Sequence, residues 1–341
     1  MALSMAKRNI KIRKATPAMD ALLRASGSNN PEIAIPAGQE LAKALSTPLR
    51  QGVLVGDILA DIFEVVPFAR GVPTEFPLDF LSPGTEKEFT AYVIPKHGYI
   101  PQRNVEGDYV QIPTYEVGNA IDWNIRYAQD ARWDIISRAM EVIEAGFVKK
   151  NNDDGWHTIL SAGVDRNILV FDADATAGQF TKRLVSLMKV IMRRNGGGNS
   201  TSLNRGKLTD LYVSPEAIED IRNWGVDQVD DLTRREIFTA SDDSFTRLYD
   251  VNLHPLDELG EGQEYQDFYT NQLSGTLQAA DVELSVGLDL SKDDAFIMPM
   301  RSPVEMFNDD NLHRERRQGV YGWGEHGFGV LDNRRVLLGS H

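Results

Sequence analysis

Cysteine is absent from the 341 residues, which excludes disulfides, thiolate metal sites and cysteine nucleophiles together. No apolar run approaches the ~20 residues that a membrane helix needs. The basic start at Lys7, Arg8, Lys11, Arg13 and Lys14 does not lead into an apolar stretch with a cleavage site, so a soluble chain without a signal peptide or membrane contact is expected. The histidines His97, His157, His254, His313, His326 and His341 never fall at metal-ligand spacing, and neither HExxH nor a facial triad can be built. Positive charge is in deficit. With 36 Lys and Arg against 50 Asp and Glu the net charge is −14, so the molecule as a whole is not expected to bind phosphate backbones tightly.

What is present is ordinary globular material, 42% hydrophobic and 25% charged, long enough for one large domain or two. The charge is segregated. Residues 1–19 hold five bases and no acid, whereas residues 248–291 hold nine acids and no base. Solvated surface explains both runs, and a partner-seeking basic arm with a solvent-facing acidic loop is the sharper reading. Pro31, Pro36 and Pro48 are expected to cut residues 20–64 into helical pieces, because each lacks a donor. Residues 53–66 read equally as helix or strand. Seven prolines between 67 and 113 exclude any helix of length there. They leave strand-like runs at 88–94 and 109–117 around a polar tip, a two-stranded excursion with no core of its own.

Ile136, Ala139, Met140, Ile143 and Phe147 recur at helical spacing and predict a long helix over 126–162. A second is expected at 179–194, ended by Asn195-Gly-Gly-Gly. A buried strand at 208–213 leads to a helix with Ser214 as N-cap and Pro215 at the first position. Residues 282–290 alternate and predict a strand with one buried face. Further strands fit 294–300, 303–307, 319–323, 328–331 and 334–338, giving an α+β pattern.

Candidate chemical motifs fail on their context. Gly322-Trp-Gly-Glu-His-Gly327 has glycines at dinucleotide-loop spacing but reads as strand. Asp172-Ala-Asp174 opens like a calcium loop, yet Ala177 and Arg183 stand where glycine and a bidentate acid are required. Ser186 and Lys189 have the spacing of a serine–lysine pair without its companions. The acidic pairs at 153–154, 227–231 and 242–243 read as helix caps and turns. No catalytic, cofactor-binding or metal residue is assigned, and no cofactor is expected.

Four strings, YIPQRNVEGDYVQIPTYEV (99–117), RYAQDARWDIISRAMEVIEAGFVKKNNDDGWHTIL (126–160), DLYVSPEAIEDIRNWG (210–225) and GVYGWGEHGFGVLDNRRVLLG (319–339), together with the element order, resemble the major capsid proteins of tailed bacteriophages with the Hong Kong 97-type fold. The resemblance implies an N-terminal arm at 1–65 and an extended loop at 66–111. A peripheral domain with a spine helix would occupy 112–174, an axial domain 175–303, and C-terminal strands of the peripheral domain 304–341. It implies a structural protein of the virion, made in the host cytoplasm. Pentamers and hexamers would form an icosahedral shell around packaged double-stranded DNA, with a portal and possible scaffold or decoration proteins as partners. Some family members cross-link a loop lysine to an asparagine; Lys96, Asn308 and Asn311 are the residues so placed here, and none aligns with a reactive position. A cellular nanocompartment shell and an acid–base hydrolase are the alternatives.

Overall fold

The computed structural model describes residues 17–56, 61–77, 109–195, 206–224, 247–279, 282–291 and 295–341. The run at 88–94, its polar tip, the basic start, and the acidic groups at 227–231 and 242–243 lie outside them.

Two helices come first, α1 (Pro17–Ser26) and α2 (Pro31–Gly56). Asn30 caps α2, its side chain accepting from Glu32 N at 3.1 Å, with Pro31 at the first position where no donor is needed. The expected breaks at Pro36 and Pro48 do not occur. Ala34, Ala37, Leu41, Ala42, Leu45 and Leu49 form one buried stripe, and that packing holds the helix together across the missing donors. The segment 53–66 is divided: its start ends α2, and its end is strand β1 (Glu64–Pro67).

Strands β2 (Glu75–Pro77) and β3 (Tyr109–Gln111) form a two-stranded sheet. Pro113 separates β3 from β4 (Tyr115–Asn124), so the run predicted at 109–117 is two strands. The helix predicted over 126–162 is likewise two, α3 (Ile125–Gln129) and α4 (Trp133–Asp165). Ala131 takes a left-handed φ of 51° at the break, and Gln129 Nε2 donates to Gly27 O at 2.8 Å, tying the turn to the end of α1. At ~1.5 Å per residue α4 runs about 50 Å.

After β5 (Leu169–Phe171) come α5 (Lys182–Asn195), β6 (Asp210–Val213), α6 (Pro215–Asn223), β7 (Asn252–Pro255), β8 (Leu284–Leu288) and β9 (Phe296–Asn308). Strands β10 (Arg317–His326), β11 (Gly329–Val330) and β12 (Val336–Ser340) follow. Ser214 caps α6 as predicted, accepting from Ala217 N at 3.1 Å. The runs 294–300 and 303–307 are one strand, β9. The first sheet has the order β1-β9-β10-β4 with β11 beside β9, and the second has β5-β12-β8-β6-β7. Residues 304–341 therefore serve both sheets. β8 is buried on both faces, not one: a Cβ on Gly287 would meet Leu208 and Met188, so the face of small residues lies beneath α5.

The long helix joins the two halves. Ile136, Ile143 and Phe147 enter the core under the first sheet, with α2. Trp156, Ile159 and Leu160, further along, pack on the second sheet with Leu256, Leu259 and Tyr265. α5 and α6 cover the second sheet's other face.

Candidate functional site

A cleft of about 790 Å³ opens between the start of β4 and the second half of α4. Gly146 allows it, because a Cβ there would lie 2.6 Å from Asn119 Nδ2. Tyr115 Oη donates to Asp154 Oδ2 and Lys150 Nζ to Oδ1, each at 2.7 Å. Burial, with the bond to Asp154 and its charge, pushes the Tyr115 phenol well above its usual range. His157 stacks on Phe268 with ring centroids 3.7 Å apart, and burial holds its pKa below the ordinary value. His326 is buried beside Tyr115 and lowered for the same reason.

The serine and threonine hydroxyls in this cleft are taken by helix backbone. Thr158 donates to Asp154 O and Ser161 to His157 O, so neither is paired with a base. The arrangement ties strand to helix. Asp153 and Asp154 thus stand in the interior of α4, correcting their reading as a cap or turn; Asp153 accepts from Tyr265 Oη at 3.2 Å. Only the Lys150–Asp154 spacing carried a signal in sequence. Tyr115 and Tyr265 arrive from distant elements.

Two further groupings join a histidine to a carboxylate, and one of them has the composition of a relay without its order. Ser214 Oγ donates to Glu283 Oε2, and His341 Nε2 lies 3.5 Å from that same oxygen. The carboxylate thus sits between serine and imidazole, where a hydrolase needs the imidazole in the middle. His254 Nε2 is 2.9 Å from Asp210 Oδ1, which also accepts from Asn252.

The rejected motifs are placed as follows. Arg183, at the twelfth position of the calcium-like run, pairs with both Asp172 and Asp174. Ser186 donates to Lys182 O, and Lys189 reaches Tyr249 O. Gly322–Gly327 lies largely within β10. Asn308 donates to Asp310 at 2.5 Å, and Asn311 N donates to the Asp309 cap; Lys96 lies outside the described residues. Among the described residues no three potential ligands converge on a metal position, and no helix is long and apolar enough to cross a membrane.

No protein family and no curated protein matches the sequence. Solved structures do match. A chain of Microbacterium phage Oxtober96 superposes with a TM-score of 0.56 at 10% identity, over 81% of this chain and 85% of that one. A chain from the head structure of Helicobacter pylori bacteriophage KHP40 gives 0.56 at 10% identity, over 84% and 90%. A chain from the capsid of an empty GTA particle gives 0.54 at 13% identity, over 84% and 89%. The chain shares the α+β fold of these three chains, one from a phage head and one from a GTA capsid among them.

Proposed function

We propose that this chain is the major capsid protein of a tailed bacteriophage, a structural protein that assembles as pentamers and hexamers into an icosahedral shell around packaged double-stranded DNA. The likeness to a chain of a phage head and a chain of a GTA capsid, each over more than four fifths of the sequence, carries the reading. Fold alone does not dictate function, and the chain's own features add support. β3 is exposed along its length, and Phe76, Ile112 and Ile297 are the buried members of the small cluster at the base of the two-stranded sheet. Such a ribbon gains stability by resting on another surface, as an extended loop at 66–111 would on a neighbour. The first sheet with α4 fits a peripheral domain, and the second sheet with α5 and α6 an axial one; β12 then belongs with the axial sheet. An acidic chain confines DNA without holding it.

Electron microscopy and native mass measurement of the purified protein test this. Closed shells, or pentamers and hexamers that convert to them, are expected. A stable monomer at every salt and protein concentration overturns it.

A further inference from the structure

The second sheet has a basic helix on one side and an acidic segment on the other. On one side lies α5, with Lys182, Arg183, Lys189, Arg193 and Arg194 and no acid. Lys207 and Arg247 flank it, both close to Asp250. Together with Asp172 and Asp174 beside Arg183, α5 and its flanks hold seven bases against three acids in a protein of net charge −14. On the same face α6 adds Arg222 and the acids Glu216, Glu219 and Asp220, so the positive excess is local to α5. Val190 is 47% exposed on the same surface.

On the other side runs the segment 256–272, seated on the core through Leu256, Leu259 and Tyr265. Its Asp257, Glu258, Glu261, Glu264 and Asp267 are all exposed. Lys149, 3.4 Å from Glu264, makes the one ion pair of this segment among the described residues. The acids press on one another: partial burial of its carboxyl, within an otherwise exposed residue, raises Glu258, and Asp257, Asp153 and Glu264 raise it further. The sheet fixes the two surfaces apart, since Leu211 and Val213 of β6 point toward α5 while Tyr212 points toward the acidic segment.

We infer that the basic face of α5 docks on the acidic segment 257–267 of a second copy of this chain. Two patches on opposite sides of one domain cannot satisfy each other within a molecule. With the patches on opposite sides, a two-fold contact buries only one of them and sets it against its own kind. A head-to-tail contact presents each to its complement, and it repeats from copy to copy until the rotation closes a ring. Complementary charge across such a contact steers encounter and sets which side meets which. The phosphate backbone is the other polyanion that a basic helix could take. The chain's overall negative charge disfavours it, whereas the acidic counterpart lies on the same polypeptide in every copy.

The inference rests on the shell-protein reading, and the experiment separates the two. Arg193→Glu with Arg194→Glu, and separately Asp257→Lys with Glu261→Lys, change exposed residues only. Each pair is expected to raise the concentration for half-assembly at least ~10-fold, because like charges then meet across the contact. All four changes in one chain are expected to restore assembly. Melting temperatures check that each variant folds, and wild-type assembly is expected to weaken as sodium chloride rises from ~0.05 to ~0.5 M. If the wild type assembles and the arginine variant assembles equally well, or the four-fold variant folds without recovering, the docking is wrong and the shell reading stands. Salt-insensitive wild-type assembly overturns it too. Loss of binding to a short DNA duplex by the arginine variant, with assembly unchanged, would assign the face to nucleic acid instead. A wild type that never assembles removes the shell reading and this contact with it.

Discussion

Asp289→Ala removes one member of an ion pair that water does not reach. The Asp289 and Arg335 side chains are 0% and 5% exposed, with Oδ2 and Nη1 2.5 Å apart. The carboxylate also accepts from Lys207 N at 2.9 Å and from Ser291 N at 3.1 Å, while Asp289 N donates to Arg335 O. The group thereby clamps the end of β8 to the start of β12. Breaking a buried pair from one side costs about 3–5 kcal/mol, because the remaining charge is left uncompensated. Asp332, 3.6 Å from Arg335 Nε, retains part of the attraction, whereas the two orphaned amides add to the loss. We expect about 4 kcal/mol, a large share of a typical margin of ~5–15 kcal/mol, read as a lower urea midpoint with unchanged slope. Replacing both partners, Asp289→Leu with Arg335→Met, should recover at least half of it, since apolar pairs often match buried ionic ones. A loss below ~1 kcal/mol for Asp289→Ala would show that the pair is hydrated and the clamp misassigned.

Three further outcomes are expected. Ile143→Pro removes a backbone hydrogen bond in mid-α4, at a fully buried position, and costs ~3 kcal/mol or more; soluble yield should collapse, and soluble protein with unchanged helicity would refute the packing of α4. Ser214→Ala removes a cap and a partner of Glu283 and should cost ~1–2 kcal/mol by urea unfolding, an unchanged midpoint counting against it. Burial alone would raise the Asp210 carboxyl, but hydrogen bonds from His254, Asn252 and Thr209 outweigh it and hold the pKa below the usual value. Its stabilisation is therefore present above the unfolded pKa near ~3.9 and is lost as pH falls through the folded value. Asp210→Asn should flatten the fall in urea midpoint between about pH 5 and pH 3, and an unaltered slope would refute the assignment.

The parts of this fold that were legible in sequence have local causes. Ser214-Pro215 announces α6 because cap and first helical position are read from adjacent residues. The stripe Ile136, Met140, Ile143, Phe147 announces α4 because one face meets one core. Other features depend on what the tertiary structure supplies. The alternation in β8 reads as half-buried, yet Ser285 and Gly287 are small because Met188 of α5 presses on that side. The turn at Ala131 needs Gly27, about a hundred residues earlier. At the cleft, Lys150 and Asp154 share a helix face and could be paired on paper, but Tyr115 joins them only through β4. The opposed charges of α5 and 257–267 were visible as runs; that one sheet separates them was not.

α2 offers the sharpest case of packing overruling propensity. Pro36 is its sixth residue, exposed, and has no N–H to give to the carbonyl of Glu32. An interior proline costs ~3 kcal/mol relative to alanine in a regular helix. The burial of Leu41, Leu45 and Leu49 outweighs that, at ~1.5–3 kcal/mol for each such side chain. Pro36→Ala should then restore the donor and remove the ring's clash one turn back. Against this stands the greater freedom of the unfolded chain without proline, worth ~0.4–1 kcal/mol. The difference leaves a net stabilisation of about 2 kcal/mol, read as a raised urea midpoint with slightly increased helicity. Packing elsewhere is not disturbed, since the buried stripe at Ala34 and Ala37 flanks position 36 without including it. A destabilised Pro36→Ala protein would show that α2 needs its bend here to lie on β9, and that the proline shapes the helix instead of being merely tolerated.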